Sequence, residues 1–496
     1  MSRESSAVSD RLEMVASLLE RLSDAGIRYV HWKSNEHLPA ALRGETDLDL
    51  LIRDEDGSDF RRVVEDMGFV ALEPVPGRRV AGMEGYLGFD SATGRLIHLD
   101  VHRRLVLGER LVKNHHLPIE EWLLDDARIS DGVLIPRAEK ELLLLYIRSM
   151  LKTTWKPLFR SILRGGSPFP DRIQREAAWL ASQADRSSLP DTVRTSGLPF
   201  TPEEVEEFHE RALAGRLGWP YVWRRRRSIL RRMRRYQRQS QISAGLRKWW
   251  LRARSTPAAQ RIGLGLPRRT ISGRAPVVAV VGADGSGKTR LTRDLEAWLA
   301  QKLRVRHVYF GQPKGKGLFW LLNKPGAVVR SLGRSESAGR RALALVLSPI
   351  ARWGERSKWL ALAGRRRRLA VEARRHGGSG VVVIAERYPL RHFWSMEQPM
   401  DGPRLGQNST RLLSRLEMRR YAAIPAPDLV IALQADLDTL RERKIDLTVD
   451  EHIAKTEAVS RLSPGEGLVV VDSTQPYEQM LLEGKRAVWD AILATR

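Results

Sequence analysis

The sequence contains no cysteine. Disulfide bonds and thiolate metal sites are therefore excluded. Long hydrophobic runs are lacking too, because no uncharged stretch approaches the ~18 apolar residues of a spanning helix. The first six residues, MSRESS, show no apolar core of a secretory signal. These absences predict a cytoplasmic protein without a membrane-spanning helix.

Acidic residues are missing from one long segment. The whole chain has a net charge of +25. Residues 224–274 contain sixteen Arg, one Lys and no Asp or Glu, which gives this segment +17. Apolar side chains such as Ile229 and Trp249 are interleaved with the cations. Three interpretations stay open: a solvated linker, a helix that contacts an anionic membrane from its cytoplasmic side, and a nucleic-acid contact. Nucleic acid is the least favoured partner, since no docking motif accompanies the charge.

Length and composition divide the chain into four segments. At 496 residues it is too long for one ordinary domain. Residues 1–137 are predicted to be α+β, residues 138–222 helical, and residues 223–274 a basic connector. Residues 275–496 alternate apolar runs with helical stretches, which predicts a doubly wound α/β domain with a parallel sheet.

A phosphate-binding motif opens the last segment. The apolar run 277–281 is typical of a parallel strand that is covered on both faces. A G-x-x-x-x-G-K-T sequence follows directly, and helical spacing begins at Arg290. Glycines let backbone amides turn towards phosphates, the lysine supplies charge to the β- and γ-phosphates, and the threonine supplies a hydroxyl to Mg²⁺. The predicted ATP-binding residues are Gly282, Asp284, Gly285, Ser286, Gly287, Lys288 and Thr289.

Further apolar runs predict the other strands of this sheet. They cover residues 305–310, 380–385, 427–433 and 467–472. The run 380–385 delivers Glu386 and Arg387 to the carboxyl edge, where ligands bind in such folds. A helix after the run 427–433 carries the cations Arg441, Arg443 and Lys444, which can also be read as a solvated helix end.

These motifs together resemble the thymidylate kinase branch of P-loop nucleotide kinases. The resemblance covers residues 275–496 and implies a P-loop kinase fold with ATP and Mg²⁺ as cofactors. It implies catalytic roles for Lys288 and for Arg387, which would hold the acceptor phosphate. Glu386 stands where the family has Asp, and Arg441, Arg443 and Lys444 would neutralise the transferring phosphoryl group.

Two departures leave the acceptor open. The loop after the second predicted strand reads GQPKG instead of the family's REPGGT type, and about sixty residues, roughly 318–375, are inserted before the third strand. Residues 400–404 are either an acceptor loop or a plain turn. The acceptor is expected to be a nucleoside monophosphate. The alternatives are another small metabolite, such as a sugar or sugar phosphate, or an ATP-switched regulatory protein. A homodimer also stays open.

Carboxylates mark a second candidate site near the N-terminus. Asp47 and Asp49 lie two apart in an apolar run, so they are expected to share one strand face. A predicted hairpin around residues 91–94 brings Asp100 to a strand that can lie beside them. Carboxylates this close repel unless a cation sits among them, so Asp47, Asp49 and Asp100 are predicted metal ligands.

This second pattern resembles the polymerase-beta-type nucleotidyltransferase fold over residues 1–137. There a Gly-Ser turn and an Asp-x-Asp pair, followed by a third carboxylate, bind a metal and a nucleoside triphosphate. Lys33-Ser34 stands in the Gly-Ser position of this chain. The resemblance implies an active nucleotidyltransferase or a domain that only binds. His98 and His102 share the predicted strand face of Asp100, as structural residues or as catalytic ones.

Overall fold

The computed structural model describes residues 11–109, 111–164, 166–261, 268–313, 318–335, 337–394, 401–405, 411–443 and 456–496. It divides into two compact units after Arg269. The expected boundary at 274/275 lies close to this division. The expected boundary at 222/223 falls inside a helix that is continuous from Trp219 to Arg232.

The first unit combines a mixed sheet with a helical layer. Its strands are β1 (Tyr29–His31), β2 (Leu48–Ile52), β3 (Val70–Glu73), β4 (Met83–Asp90), β5 (Arg95–His102), β6 (Leu105–Gly108), β7 (Lys113–Leu117), β8 (Arg128–Ser130) and β9 (Val133–Ile135). The main sheet contains the order β1-β2-β5-β4-β3, in which β2 and β5 are parallel and the other neighbours antiparallel. The predicted hairpin of β4 and β5 is confirmed.

The helices of the first unit are α1 (Glu13–Asp24), α2 (Leu38–Leu42), α3 (Gly57–Asp66), α4 (Glu120–Leu124), α5 (Ala138–Lys152), α6 (Trp155–Arg164), α7 (Asp171–Ala181), α8 (Leu189–Thr195), α9 (Pro202–Leu213), α10 (Trp219–Arg232), α11 (Gln241–Arg254) and α12 (Pro257–Arg261). Helix α5 is buried along almost its whole length and forms the centre of a core with α7, α9 and α10. Its buried residues include the charged Glu139, Lys140, Glu141 and Arg148 as well as apolar side chains.

The second unit is a mixed α/β structure around a parallel sheet. Its strands are β10 (Thr270–Ile271), β11 (Val277–Gly282), β12 (Val305–Tyr309), β13 (Val382–Glu386), β14 (Leu429–Gln434) and β15 (Leu468–Asp472). The sheet order is β12-β13-β11-β14-β15, and every neighbouring pair is parallel. The predicted parallel sheet is therefore confirmed, and β11, buried at every residue, is its central strand.

Helices cover this sheet and form the inserted segment. They are α13 (Lys288–Leu299), α14 (Leu318–Gly333), α15 (Ala338–Gly378), α16 (Arg411–Ala422), α17 (Leu437–Arg443) and α18 (Tyr477–Ala494). The predicted insertion, roughly residues 318–375, corresponds to α14 and most of α15. Among the described residues, no helix is both long enough and apolar enough to cross a membrane.

Candidate functional site

The predicted strand, loop and helix of the phosphate motif follow one another as expected. Strand β11 ends at Gly282, and helix α13 begins at Lys288. Gly285 and Gly287 have φ values of +94° and +88°, which glycine adopts without a steric penalty. A Cβ on Gly282 would lie 2.6 Å from Ser286 Oγ, so the loop start allows no side chain. The loop therefore directs a helix N-terminus, a favourable place for phosphate, to the sheet edge.

Lys288 is the buried cation of this loop. Its Nζ donates to the Ala283 carbonyl oxygen at 2.6 Å and lies 3.8 Å from Asp284 Oδ1. Burial lowers the pKa of Lys288 to about 8, although Asp284 opposes the shift. A charge with so little solvation interacts strongly with an incoming phosphate.

Thr289 and Glu386 meet where two neighbouring strands end. The Thr289 hydroxyl donates to Glu386 Oε1 at 2.8 Å. Strands β11 and β13 pair in parallel with Val280 opposite Glu386, which brings the buried carboxylate to the phosphate loop. A hydroxyl beside a carboxylate at a phosphate-binding loop is an oxygen ligand set that suits Mg²⁺.

Arg387 lies between two carboxylates. Its Nη2 donates to Asp284 Oδ1 at 2.8 Å, and its Nη1 is 3.9 Å from Asp401 Oδ2. The Arg387 backbone has φ +58°, in the left-handed region that non-glycine residues seldom adopt. Asp401 has φ +54°. The chain therefore makes a tight turn directly after β13, which directs the Arg387 guanidinium towards the phosphate loop.

A second arginine, Arg366 of α15, holds Asp401 in place. Arg366 is buried, and its Nη2 donates to Asp401 Oδ1 at 2.7 Å. It also donates to the Phe310 carbonyl oxygen at 3.0 Å and to Tyr421 Oη at 2.7 Å. In the sequence, Arg366 is one of four consecutive arginines, residues 365–368, and the run alone does not distinguish it. The signal that singles out Arg366 is its spacing from the buried Ala363, Ala370 and Ala373 on one helix face.

The described residues 401–405 form one wall of a cleft beside the phosphate loop. Buried Glu417 accepts hydrogen bonds from the backbone amides of Arg404 and Leu405, at 3.1 and 2.7 Å, and so fixes this wall. The free volume of this cleft is about 50 Å³, which is well below that of typical small-molecule sites. Its lining residues are Val281, Gly282, Asp284, Lys288, Arg387, Tyr388, Phe393, Asp401 and Arg404.

The structure describes only some of the cations that were predicted to follow strand β14. Arg441 lies on α17, but its side chain is outside the described part, and Lys444 lies outside the described residues. Arg443 ends α17, and its Nη1 donates to the Ser473 carbonyl oxygen at 3.1 Å. Arg443 is thus bound to the segment after β15, and the catalytic role of all three cations stays a prediction.

The first unit brings together three side chains that can bind a metal ion. Two of them, Asp49 and Asp100, are among the predicted ligands. Asp49 of β2 lies opposite Asp100 of β5 in the parallel register. With His102 they form a group whose ligand atoms all lie within 4.8 Å of one another. Asp47 is not in this group: it precedes β2, and its Oδ1 is 3.2 Å from His98 Nδ1. The register pairs the start of β2 with the second half of β5 and places Asp49 opposite Asp100, so Asp47 stands apart from this group and its role as a metal ligand stays a prediction.

Electrostatics in this group favour an ionised carboxylate and a neutral imidazole. Burial acts to raise the pKa of Asp100, but His102, Lys33 and Lys113 outweigh it and hold that pKa well below its usual range. Burial lowers the pKa of His102, and Asp100 only partly offsets this. Carboxylate and neutral imidazole are the forms that bind a divalent cation.

Four cations and two acids, Glu36 and Glu176, line a cleft next to this group. Lys33 Nζ pairs with Asp49 Oδ1 at 2.5 Å and also lines the cleft. Arg148 Nη1 donates to Ser34 Oγ at 3.2 Å, and Ser34 has φ +57°. Surrounding protein and neighbouring cations lower the pKa of Lys152, at the cleft wall, to about 7. So many cations beside two carboxylates suit a ligand with several phosphates bound through a metal.

We expect Asp100→Asn to weaken Mn²⁺ binding by about tenfold or more, because it removes one of two paired carboxylates. Asp47→Asn is the matched control, with the same chemical change two residues from Asp49, and should leave the affinity nearly unchanged. Calorimetric titration of the full chain measures both. Equal losses in the two variants would restore Asp47 to the ligand set.

Most of the basic connector belongs to the first unit, and its first helix is packed against that unit. Ile229 and Met233 are buried. Arg225 Nη1 donates to Glu204 Oε1 at 2.9 Å, and Arg232 Nη1 donates to Glu204 Oε2 at 2.8 Å. The acidic side chain of Glu204 on α9 therefore offsets part of the segment's positive charge, which no acid within the segment offsets. The membrane and nucleic-acid hypotheses stay predictions for α11, whose apolar residues Ile242, Leu246, Trp249 and Trp250 are exposed.

Known proteins are similar to this chain over less than half of its length. No protein-family model matches the chain. The uncharacterised ATP-binding protein YghR of Escherichia coli K12 is 27% identical over 220 residues, which are 43% of this chain and 86% of YghR. YghS of the same strain, also an uncharacterised ATP-binding protein, is 28% identical over 240 residues, 44% of this chain and 93% of YghS.

Among solved structures, an unliganded sugar kinase from Janibacter sp. HTCC2649 is similar over 45% of this chain and 98% of its own. It has 16% sequence identity and a TM-score of 0.23, which is too low to argue for a shared fold.

Proposed function

We propose that the second unit is an ATP-dependent phosphotransferase of thymidylate kinase type that uses Mg²⁺. The observation that carries this proposal is the hydrogen bond between Thr289 and buried Glu386. It joins the hydroxyl of a phosphate-binding loop to a carboxylate from the next strand, which is the ligand pair that a metal–phosphate complex needs. The similarity to YghR and YghS, which are both named ATP-binding proteins, supports the same nucleotide.

Each residue of the loop has a task in this reaction. Backbone amides at the start of α13 would hold the β- and γ-phosphates, and Lys288 would place its charge beside the oxygens that gain charge in the transition state. Thr289 and Glu386 would hold Mg²⁺, which neutralises the phosphate oxygens when it is bound. The loop would thus orient the phosphates for transfer.

The acceptor would bind in the cleft beside this loop. An acceptor oxygen would form a bond to the γ-phosphorus while the bond from that phosphorus to the ADP oxygen breaks. Arg387 and Arg404 supply positive charge to the cleft, and Asp284 and Asp401 can accept hydrogen bonds from hydroxyl groups. The charges and hydrogen-bond acceptors of this lining suit a nucleoside monophosphate as well as a sugar or sugar phosphate. Both classes therefore belong in the test.

The decisive experiment measures ADP formation by the full chain with Mg·ATP and a panel of nucleoside monophosphates, sugars and sugar phosphates. Acceptor-dependent ADP formation supports the proposal and names the acceptor class. Tight ATP binding without turnover for any acceptor would favour the alternative of an ATP-switched regulatory protein.

For the first unit we propose nucleotidyl transfer with a divalent cation. The specific observation is the group formed by Asp49, Asp100 and His102 beside a cationic cleft. Release of pyrophosphate from a nucleoside triphosphate tests this activity. Cation and nucleotide binding without pyrophosphate release would leave a domain that only binds.

A further inference from the structure

The N-terminal part of α15, residues 338–354, exposes an apolar surface. Leu345, Val346 and Trp353 are 75%, 72% and 66% exposed, and Ile350 is exposed as well. Positions 346, 350 and 353 recur at helical spacing, so they lie on one side of the helix. We call these four residues the outer face of α15. Large apolar residues scattered singly need no explanation, but a contiguous group marks a contact surface.

Packing within the unit does not cover this face. Helix α15 touches α14 through its other side, where a Cβ on Gly354 would lie 2.9 Å from the Leu322 carbonyl oxygen. Ala344 is buried between exposed neighbours, which shows the side that faces the protein. The outer face is therefore the side of α15 directed away from its helical partner.

The charges around this face are almost all positive. Residues 338–353 of α15, which include the outer face, contain three cations and no acid. The cations are Arg340, Arg341 and Arg352, and each of them is exposed. An apolar strip flanked by arginines is the pattern of a helix that lies in the interface of an anionic membrane.

The charges also indicate whether the outer face binds a membrane or a second copy of the chain. In a two-fold symmetric contact the same patch meets itself, so the arginines around one outer face would approach those around the other. Like charges at such a contact oppose association. An anionic bilayer offers the opposite charge and an apolar layer for the four side chains.

We propose that the outer face of α15 binds the surface of anionic lipid bilayers, with its apolar side chains among the acyl chains and its arginines at the headgroups. This surface is separate from α11 and belongs to the second unit.

Co-sedimentation of the full chain with vesicles tests the proposal. Wild-type protein should bind phosphatidylcholine vesicles that contain phosphatidylserine, and binding should fall with added salt because headgroup attraction is screened. Leu345→Glu with Val346→Glu should lower the partition coefficient at least about tenfold, since it places two carboxylates at the lipid contact. Arg340→Gln with Arg341→Gln should lower it less and reduce the salt dependence.

Two controls assign the effect to this face. Ile129→Glu replaces an aliphatic side chain that is 75% exposed on β8 of the first unit, and it should bind as wild type does. Trp249→Glu on α11 should leave most binding intact. Equal binding to neutral vesicles, or a loss confined to the α11 variant, would overturn the proposal. A wild-type dimer in sedimentation that Leu345→Glu converts to a monomer would assign the face to a second copy instead.

Discussion

Lys288→Ala is expected to lower ATP turnover by ~10² or more, because it removes a charge-assisted contact to the transferring phosphoryl group. The side chain is buried at the loop, between the Ala283 carbonyl oxygen and Asp284. Steady-state ADP formation with the acceptor found in the screen measures the effect. Burial lowers the pKa of Lys288 to about 8, so ATP affinity of the wild type should fall as the pH rises through that value.

Arg293→Ala provides the control for this variant. Arg293 lies on the same helix with an exposed side chain, so its removal should change turnover little. Turnover and ATP affinity that stay at the wild-type level in Lys288→Ala would reject the assignment of this loop.

Arg387→Ala is expected to lower kcat/KM for the acceptor by ~10² or more while ATP binding stays near normal. Arg387 contacts Asp284 and Asp401 across the cleft, so its loss removes a cation from the acceptor side and leaves two carboxylates facing each other. Kinetics at varied acceptor concentration give the first quantity, and calorimetry with an ATP analogue gives the second.

Arg391→Ala is the matched control. Arg391 lies four residues after Arg387 in the sequence, and it donates to the Ala422 carbonyl oxygen instead of lining the cleft. Loss of ATP affinity with unchanged acceptor kinetics in Arg387→Ala would reverse the assignment and place this arginine on the nucleotide side.

The sheet of the second unit could be predicted from sequence because each parallel strand is a short, continuous apolar run. The runs at 277–281 and 380–385 correspond to β11 and β13 within one or two residues. Glu386 could be placed for the same reason, since the carboxyl ends of neighbouring parallel strands meet at one edge. Local pattern and global fold agree at these positions.

Other parts of the sites depend on contacts that a sequence pattern does not specify. Whether Asp47 or His102 completes the group around Asp49 and Asp100 is decided by the pairing register of β2 and β5, which are distant in sequence. The position of Asp401 depends on Arg366 and Glu417, which come from two different helices. The packing of the connector's first helix also depends on distant residues, because the acids that offset its charge lie on α9, before it in the chain.

Backbone strain is concentrated at the two sites. Among the described non-glycine residues, positive φ values occur at Ser34, Asp126, Asp131, Arg387 and Asp401, and three of these line the clefts discussed above. An arginine in the left-handed region costs roughly 1 kcal/mol relative to glycine. Arg387→Gly should therefore unfold at a higher temperature than Arg387→Ala, although both lack the guanidinium. Thermal denaturation of this pair would show how much stability the protein gives up to hold one side chain in place, and the comparison requires no knowledge of the substrate.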